Sequence, residues 1–491
     1  VRSNNFQGGK TQMDARGIGA AIAILIVIII AAAAAGAYVL TLGEGESEGA
    51  GGGEGGEGGE GGEGGEGGEV DFGQLIQPSD LTYLGAFRLP YVDGGSSWDW
   101  GGTGATYYPD GDPSNSDDYS GSIYGIGHDH TMYVSEISIP EPVNSSDLAD
   151  LNTASTLRSF TDVRSGVGSL STLFNNGNIR YAGLAYLPAQ GSQSSAKLYA
   201  CWGVHNQEGA QNLPSHMWCE LDFSNAQGAW RIGSHQLELL QSNDYMCDIP
   251  SSFADAQAET TGMYLATGRF REGGHGGQGP NFYAIAPWTD GNPPSNGTEL
   301  TAVKLLGYSS THQVGYDHGG GHIMENYHDS DEWSGASWLT AENKSALIFV
   351  GTKGVGNCWY GYSDGTEYPT DESEFTGTVP DYPHNNRGYW STSFDAEIIF
   401  YDPSDLAAVA DGTMQPYEPQ PYASLSLDQY LYNIDKLNHP DFPDDRNMHR
   451  LGGCAFDRTN GYLYIFEYRG EPAGGAWNDD TAVVHVFEIN S

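Results

Sequence analysis

Basic residues are scarce. Six lysines and 14 arginines stand against 64 acidic side chains, a formal net charge of −44. A surface this acidic repels phosphate, which argues against nucleic acid or an anionic membrane face as a partner. Cysteine is also sparse, at five residues, too few for a fold stapled by disulfides. Their odd number leaves at least one thiol unpaired within the chain, although Cys201 and Cys219 fall on neighbouring expected strands where a cross-strand disulfide is feasible. From Val70 onward there is no long helical periodicity. What the chain has instead is 70 glycines and a large aromatic complement of 11 Trp, 30 Tyr and 17 Phe. That much aromatic surface supports a sizeable core and excludes global disorder.

The one long apolar run is Gly17 to Leu40, GIGAAIAILIVIIIAAAAAGAYVL, 24 residues without a charge. As a helix it covers ~36 Å, enough to cross a hydrocarbon layer of ~30 Å. Arg2, Lys10 and Arg16 precede it, and Glu44, Glu46 and Glu48 follow it. The positive-inside rule then places everything after Leu40 outside the cell. The charged leader ends in Arg16-Gly17, directly before the apolar run. This junction resembles the class III signal of archaeal pilins and archaellins, which implies cleavage at the Arg16-Gly17 pair and a helix that packs into a filament core. A plain membrane anchor has the same sequence character. Residues 43–69 follow, almost all Gly and Glu and ending in GGE triplets. Without apolar residues this stretch reads as an extended linker.

The remaining chain contains a repeat of short β-type runs. A small-residue strand comes first: GATYYPD at Gly104, GLAYLP at Gly183, FADAQA at Phe253, SWLTAEN at Ser337 and GCAFDRTN at Gly453. A second follows: SIYGIG at Ser122, KLYACWG at Lys197, MYLATGRF at Met263, ALIFVGTK at Ala346 and YLYIFEYR at Tyr462. The third runs are MYVSEISIP, HMWCELDF, NFYAIAPW, AEIIFYDP and VVHVFEIN. Four units carry a fourth run, and the last unit lacks one; Tyr83 to Leu89, YLGAFRL, is free to supply it. The pattern resembles a five-bladed β-propeller of the NHL or YVTN blade type. The fold class expected is therefore all-β: a five-bladed β-propeller closed by its N-terminal strand, preceded by one N-terminal transmembrane or filament-core α-helix and a Gly/Glu linker. The domains read as a leader at 1–16, the helix at 17–42, the linker at 43–69 and the head at 70–491. Two separate β-sandwiches are the alternative.

In that topology the loops between blades share a face with those joining second to third strands. They are long and hold most of the histidines, so the binding mouth is expected there. His128 and His130 flank Asp129 at a strand end and suit one ligand or metal. Asp317, His318 and His322 surround a Gly run and offer donors for Zn²⁺. Asp110, Asp112 and Asp117 crowd an acidic stretch that suits Ca²⁺. Arg269, Arg271 and His275 share a segment whose guanidinium forks suit carboxylates or sugar hydroxyls. The stretch from Gly354 to Phe394 is expected as a loop presenting Trp359, Arg387 and Trp390. With Trp98, Trp100, Trp202, His205 and Arg469 these supply flat stacking faces and directional donors, a combination that suits carbohydrate. Asp255, Glu272 and Glu467 are the candidate catalytic carboxylates.

The reading that follows is a cell-surface binding protein whose extracellular head takes carbohydrate or another extracellular ligand. The N-terminal helix would hold it in the membrane or in a self-assembled surface filament. An extracellular glycoside hydrolase or lyase on the same scaffold is the second reading, and a structural filament subunit the third.

Overall fold

The computed structural model describes residues 72–490 except 92–93, 114–118, 170–178, 205–213, 234–241, 271–277, 309–321, 370–371, 383, 438–449 and 473–479. The leader, Arg16-Gly17, the apolar run and the linker lie outside the described residues, as do Asp117, His205, Arg271, Glu272, His275, Asp317 and His318. Among the described residues no helix is long and apolar enough to cross a membrane.

Two N-terminal strands, β1 (Gln74–Leu75) and β2 (Leu81–Arg88), precede the repeat. The first blade is β3 (Ala105–Tyr108), β4 (Ser122–Ile126), β5 (Val134–Ser138) and β6 (Thr156–Thr161). The second is β7 (Ile179–Leu187), β8 (Lys197–Val204), β9 (His216–Cys219) and β10 (Gln227–Ile232). The third is β11 (Tyr245–Asp248), β12 (Leu265–Arg269), β13 (Asn281–Ile285) and, beyond the short β14 (Glu299–Leu300) that joins the edge of β10, β15 (Ala302–Leu306). The fourth is β16 (Glu332–Ala341), β17 (Lys344–Tyr362), β18 (Arg387–Tyr401) and β19 (Ala423–Ser426), with β1 added in parallel to β17. The fifth is β20 (Leu451–Asp457), β21 (Tyr462–Glu471) and β22 (Thr481–Ile489), completed by β2.

That last pairing closes the ring. β2 runs antiparallel to β22 from Leu81 opposite Ile489 to Arg88 opposite Val483. It leaves no open edge between the first and last blades. The closing strand is also tied to the first blade, where Ala86 and Val143 exchange backbone hydrogen bonds of 3.1 and 3.0 Å.

Each blade buries both faces, so its strands are apolar on both sides rather than alternating. Every junction has its own apolar cluster. Val134 and Trp202 share the cluster between blades one and two, and Trp218 and Tyr283 share the one between two and three. Phe282 meets Trp338 between three and four, Ile398 and Phe487 share the cluster between four and five, and Phe466 and Ile123 share the one where the ring closes. On the inside, small residues let the first strands converge. A Cβ on Gly104 would lie 2.2 Å from the Ala182 carbonyl oxygen, and one on Gly453 would lie 2.7 Å from Gly104 Cα.

Three expectations are corrected. The first strand of the third blade is Tyr245–Asp248, not the run at Phe253, which sits in a short helix, α1 (Ser251–Ala254). The YMCD segment is too short for its alternation to register, yet its register with β12 is complete. The segment from Gly354 to Phe394 is not simply a loop: β17 and β18 extend into a long hairpin, with Trp359 opposite Trp390 and Tyr360 opposite Tyr389. Aromatic cross-strand pairs stabilise such a ribbon despite its glycines. All five cysteines are free; Cys201 pairs in register with His216 and Cys219 with Leu198, so the two thiols do not face each other.

Candidate functional site: two faces of one ring

A belt of buried charge runs around the mouth end of blades three to five. Asp244, at the head of β11, is 1% exposed. Arg269, at the end of β12, approaches it with Nε 3.3 Å from Oδ2 and donates from Nη1 to Asn243 Oδ1 at 3.1 Å. Burial pushes the Asp244 carboxyl up to about 7; Arg269 opposes this, and the like charge of Glu332 adds to it. Beside it, Asp331 pairs with Lys353 at 2.9 Å and accepts the Gly354 and His328 backbone N–H groups. Burial pushes its carboxyl up to about 6 against the pull of Lys353.

Farther round, Arg450 pairs with Asp428 at 3.2 Å. Glu467 is fully buried and accepts from the Tyr432 and Asn433 backbones and from His485 Nε2 at 3.0 Å. His485 Nδ1 in turn meets the Tyr83 hydroxyl at 3.1 Å. This chain of bonds links the closing strand to the last blade.

The candidate residues of this face fare unequally. Arg469 lies 3.6 Å over the Trp100 ring, so those two do meet. Trp98, Trp202 and Trp390 are 1%, 0% and 3% exposed, so their rings offer no face to a ligand. Trp98 packs on Phe160 and Phe466 to wedge the first and fifth blades, and Trp202 sits under Arg164. The physical reason is simple: a large ring at a strand end fills the wide gap between diverging blades before it can serve a ligand. Trp359 and Trp390 donate to carbonyls of their own hairpin, at Tyr362 and Gly361, and Arg387 stacks 4.2 Å over Tyr368. His322 is exposed and stacked on Tyr417, while Asp110 and Asp112 lie on the other face, after β3. Asp255 is also on that other face, exposed, where it accepts from the Gly262 backbone and the Tyr264 hydroxyl. It therefore does not pair with Glu467.

A cavity opens on the face of the first-to-second strand turns, opposite the expected mouth. Its volume is about 740 Å³, within the usual range of ligand pockets. Four blades contribute: Pro188 and Gln190 after β7, Asp248 at the end of β11 and Phe253 beyond it, Trp338 and Asn343 around the end of β16, and Arg458 after β20. Phe72 and Tyr264 complete the aromatic wall.

Arg458 organises this site. Its Nη2 donates to Asp248 Oδ2 at 2.6 Å, and its Nη1 donates to the Trp338 carbonyl and Thr340 Oγ1, both at 2.9 Å. One guanidinium thus joins blades three, four and five. The pair remains 29% and 43% exposed. Behind it lies a second chamber of about 140 Å³ within the channel, which shares Asp248 and Arg458 as lining. Sequence reasoning missed both residues. Asp248 ends the strand that was misplaced, and Arg458 sits in a DRTN turn that looks like any hairpin connection.

Fold and ring closure define the class: a five-bladed β-propeller. No protein-family model matches the chain, and no curated protein is similar to it. Among solved structures it is similar to the PQQ-bound form of the aldose sugar dehydrogenase (Adh) from Streptomyces coelicolor, at 12% identity over 83% of this chain and 97% of that chain, with a TM-score of 0.29. A likeness that distant carries no argument about chemistry.

Proposed function

We propose that the protein is a surface-displayed binding propeller that takes a carbohydrate or similar polyhydroxylated ligand in the 740 Å³ cavity. One observation carries this reading: the cavity combines aromatic walls with a half-exposed Asp248–Arg458 pair. A sugar presents C–H faces that stack on rings and hydroxyls that need directional donors and acceptors, and this wall supplies both. Surface display rests on the sequence: the apolar run at 17–40 as anchor or pilin-like core, the Gly/Glu linker as spacer, and an acidic surface that keeps the head hydrated.

A glycan array probed with the purified full chain tests it. Saturable binding to one glycan class is expected, with Arg458→Ala weakening it at least about tenfold, since a charge-assisted contact contributes ~1.5–3 kcal/mol. A panel without a binder, or binding indifferent to Arg458→Ala, refutes it. N-terminal sequencing of the mature protein tests the filament reading: a new terminus at residue 17 or 18 supports pilin-type processing.

A further inference from the structure

The geometry points to a transition-metal site at the turn between β4 and β5, built from His128, Asp129 and His130. The site lies on the mouth face, away from the sugar cavity, and stands independently of the reading given for that cavity.

Each of the three residues offers one donor atom, and these atoms lie within 4.8 Å of one another. Asp129 Oδ1 is 2.9 Å from His128 Nδ1 and 3.8 Å from His130 Nε2. Metal bonds of ~2.1 Å in a tetrahedron set ligand atoms ~3.4 Å apart, so the two distances bracket what one ion needs. The third separation, between the two imidazole donors, is bounded by 4.8 Å, and His130, with a side chain 77% exposed, has room to swing inward.

His128 Nδ1 stands 2.9 Å from Asp129 Oδ1 and 3.1 Å from the His130 backbone nitrogen. Its single in-plane lone pair takes either that N–H or a metal, so an ion bound between Nδ1 and the carboxylate replaces the His130 N–H contact and any proton on the nitrogen.

The turn is held in advance of binding. His128 N–H donates to the Ser97 carbonyl at 2.7 Å, and the His128 carbonyl accepts from the Thr131 and Met132 backbones at 2.9 and 2.7 Å. Arg164 Nη2 fixes the Thr131 carbonyl at 2.6 Å. Little conformational entropy is left to lose on binding.

Two imidazoles and one carboxylate select Zn²⁺, Co²⁺, Ni²⁺ or Cu²⁺ over the harder Ca²⁺ and Mg²⁺. Three protein ligands leave at least one coordination position open on the exposed side of the turn, as in exchangeable zinc sites. The charge of −44 raises the local concentration of any divalent cation.

The test uses the tag-free full chain, stripped with EDTA and titrated with Zn²⁺ by calorimetry and with Co²⁺ by visible absorption. The expected result is a saturable micromolar site with cobalt d–d bands, insensitive to Ca²⁺. Loss of a ligand costs at least about tenfold in affinity, so His130→Gln and Asp129→Asn each weaken Zn²⁺ that much and bleach the cobalt spectrum. His322→Gln leaves both unchanged. His130 is exposed, so its variant keeps the fold, checked by an unchanged circular dichroism spectrum, and it decides the question even where Asp129→Asn does not fold. Zn²⁺ affinity unchanged in His130→Gln, or Ca²⁺ bound as tightly as Zn²⁺, overturns the site.

Discussion

His216 and Asp244 should give the stability of this protein two opposing pH dependences that single substitutions separate. His216, on β9, is 2% exposed. Its Nε2 meets Thr267 Oγ1 across the blade two–three junction at 2.8 Å, and its Nδ1 meets Ser215 Oγ at 2.9 Å. Because the Thr267 hydroxyl donates to the Ser242 carbonyl, Nε2 is the protonated nitrogen and Nδ1 the acceptor. Burial lowers its pKa from 6.5 to about 3. Below pH 6.5 the unfolded chain takes up a proton that the folded chain refuses, so stability falls with pH by ~1.4 kcal/mol per pH unit, or ~2.7 kcal/mol by pH 4.5. Asp244 acts in the other direction. Its folded value of about 7 exceeds the unfolded 3.8, so its favourable contribution is fully present below pH 3.8 and is lost as pH rises through 7.

Urea unfolding followed by tryptophan fluorescence at pH 7.5 and 4.5 reads both effects. His216→Gln retains a donor toward Thr267 and removes the titration. Its deficit relative to the parent should shrink by ~3 kcal/mol on going to pH 4.5. The deficit of Asp244→Asn should instead grow over the same interval, by a similar amount. Deficits that do not change with pH, or that change in the same direction, would refute the assignment of these two groups as a buried neutral imidazole and a buried carboxyl.

Gly453→Val should cost roughly 1–3 kcal/mol or more, because its Cβ would meet Gly104 Cα at 2.7 Å where two inner strands touch; thermal unfolding measures it. Tyr83→Phe should cost ~1 kcal/mol through the lost contact with His485, read as a small shift in the urea midpoint. Reductant should leave the melting temperature unchanged, since all five cysteines are free; a drop would reveal a disulfide.

Much of the architecture was legible in the chain itself. Strands are local: a run such as Tyr462–Glu471 declares itself by its own β-branched and aromatic residues, and five repeats of the same order imply five blades. Even the closing strand could be read, because a last unit short of one strand and a first unit with one to spare complete each other in a closed ring. The third blade's inner strand escaped because its four residues carry too little pattern to rank above a neighbouring run.

The sites were another matter. Tertiary structure alone decided that Trp98, Trp202 and Trp390 fill junctions, that Asp248 and Arg458 meet across 210 positions of sequence, and that the cavity they line faces away from the histidine-rich loops. It also raised Asp244 and lowered His216, since a pKa answers to burial and to neighbours that arrive from other blades. A strand is specified by residues adjacent along the chain, whereas a cavity is specified by which strand ends the closed ring brings together.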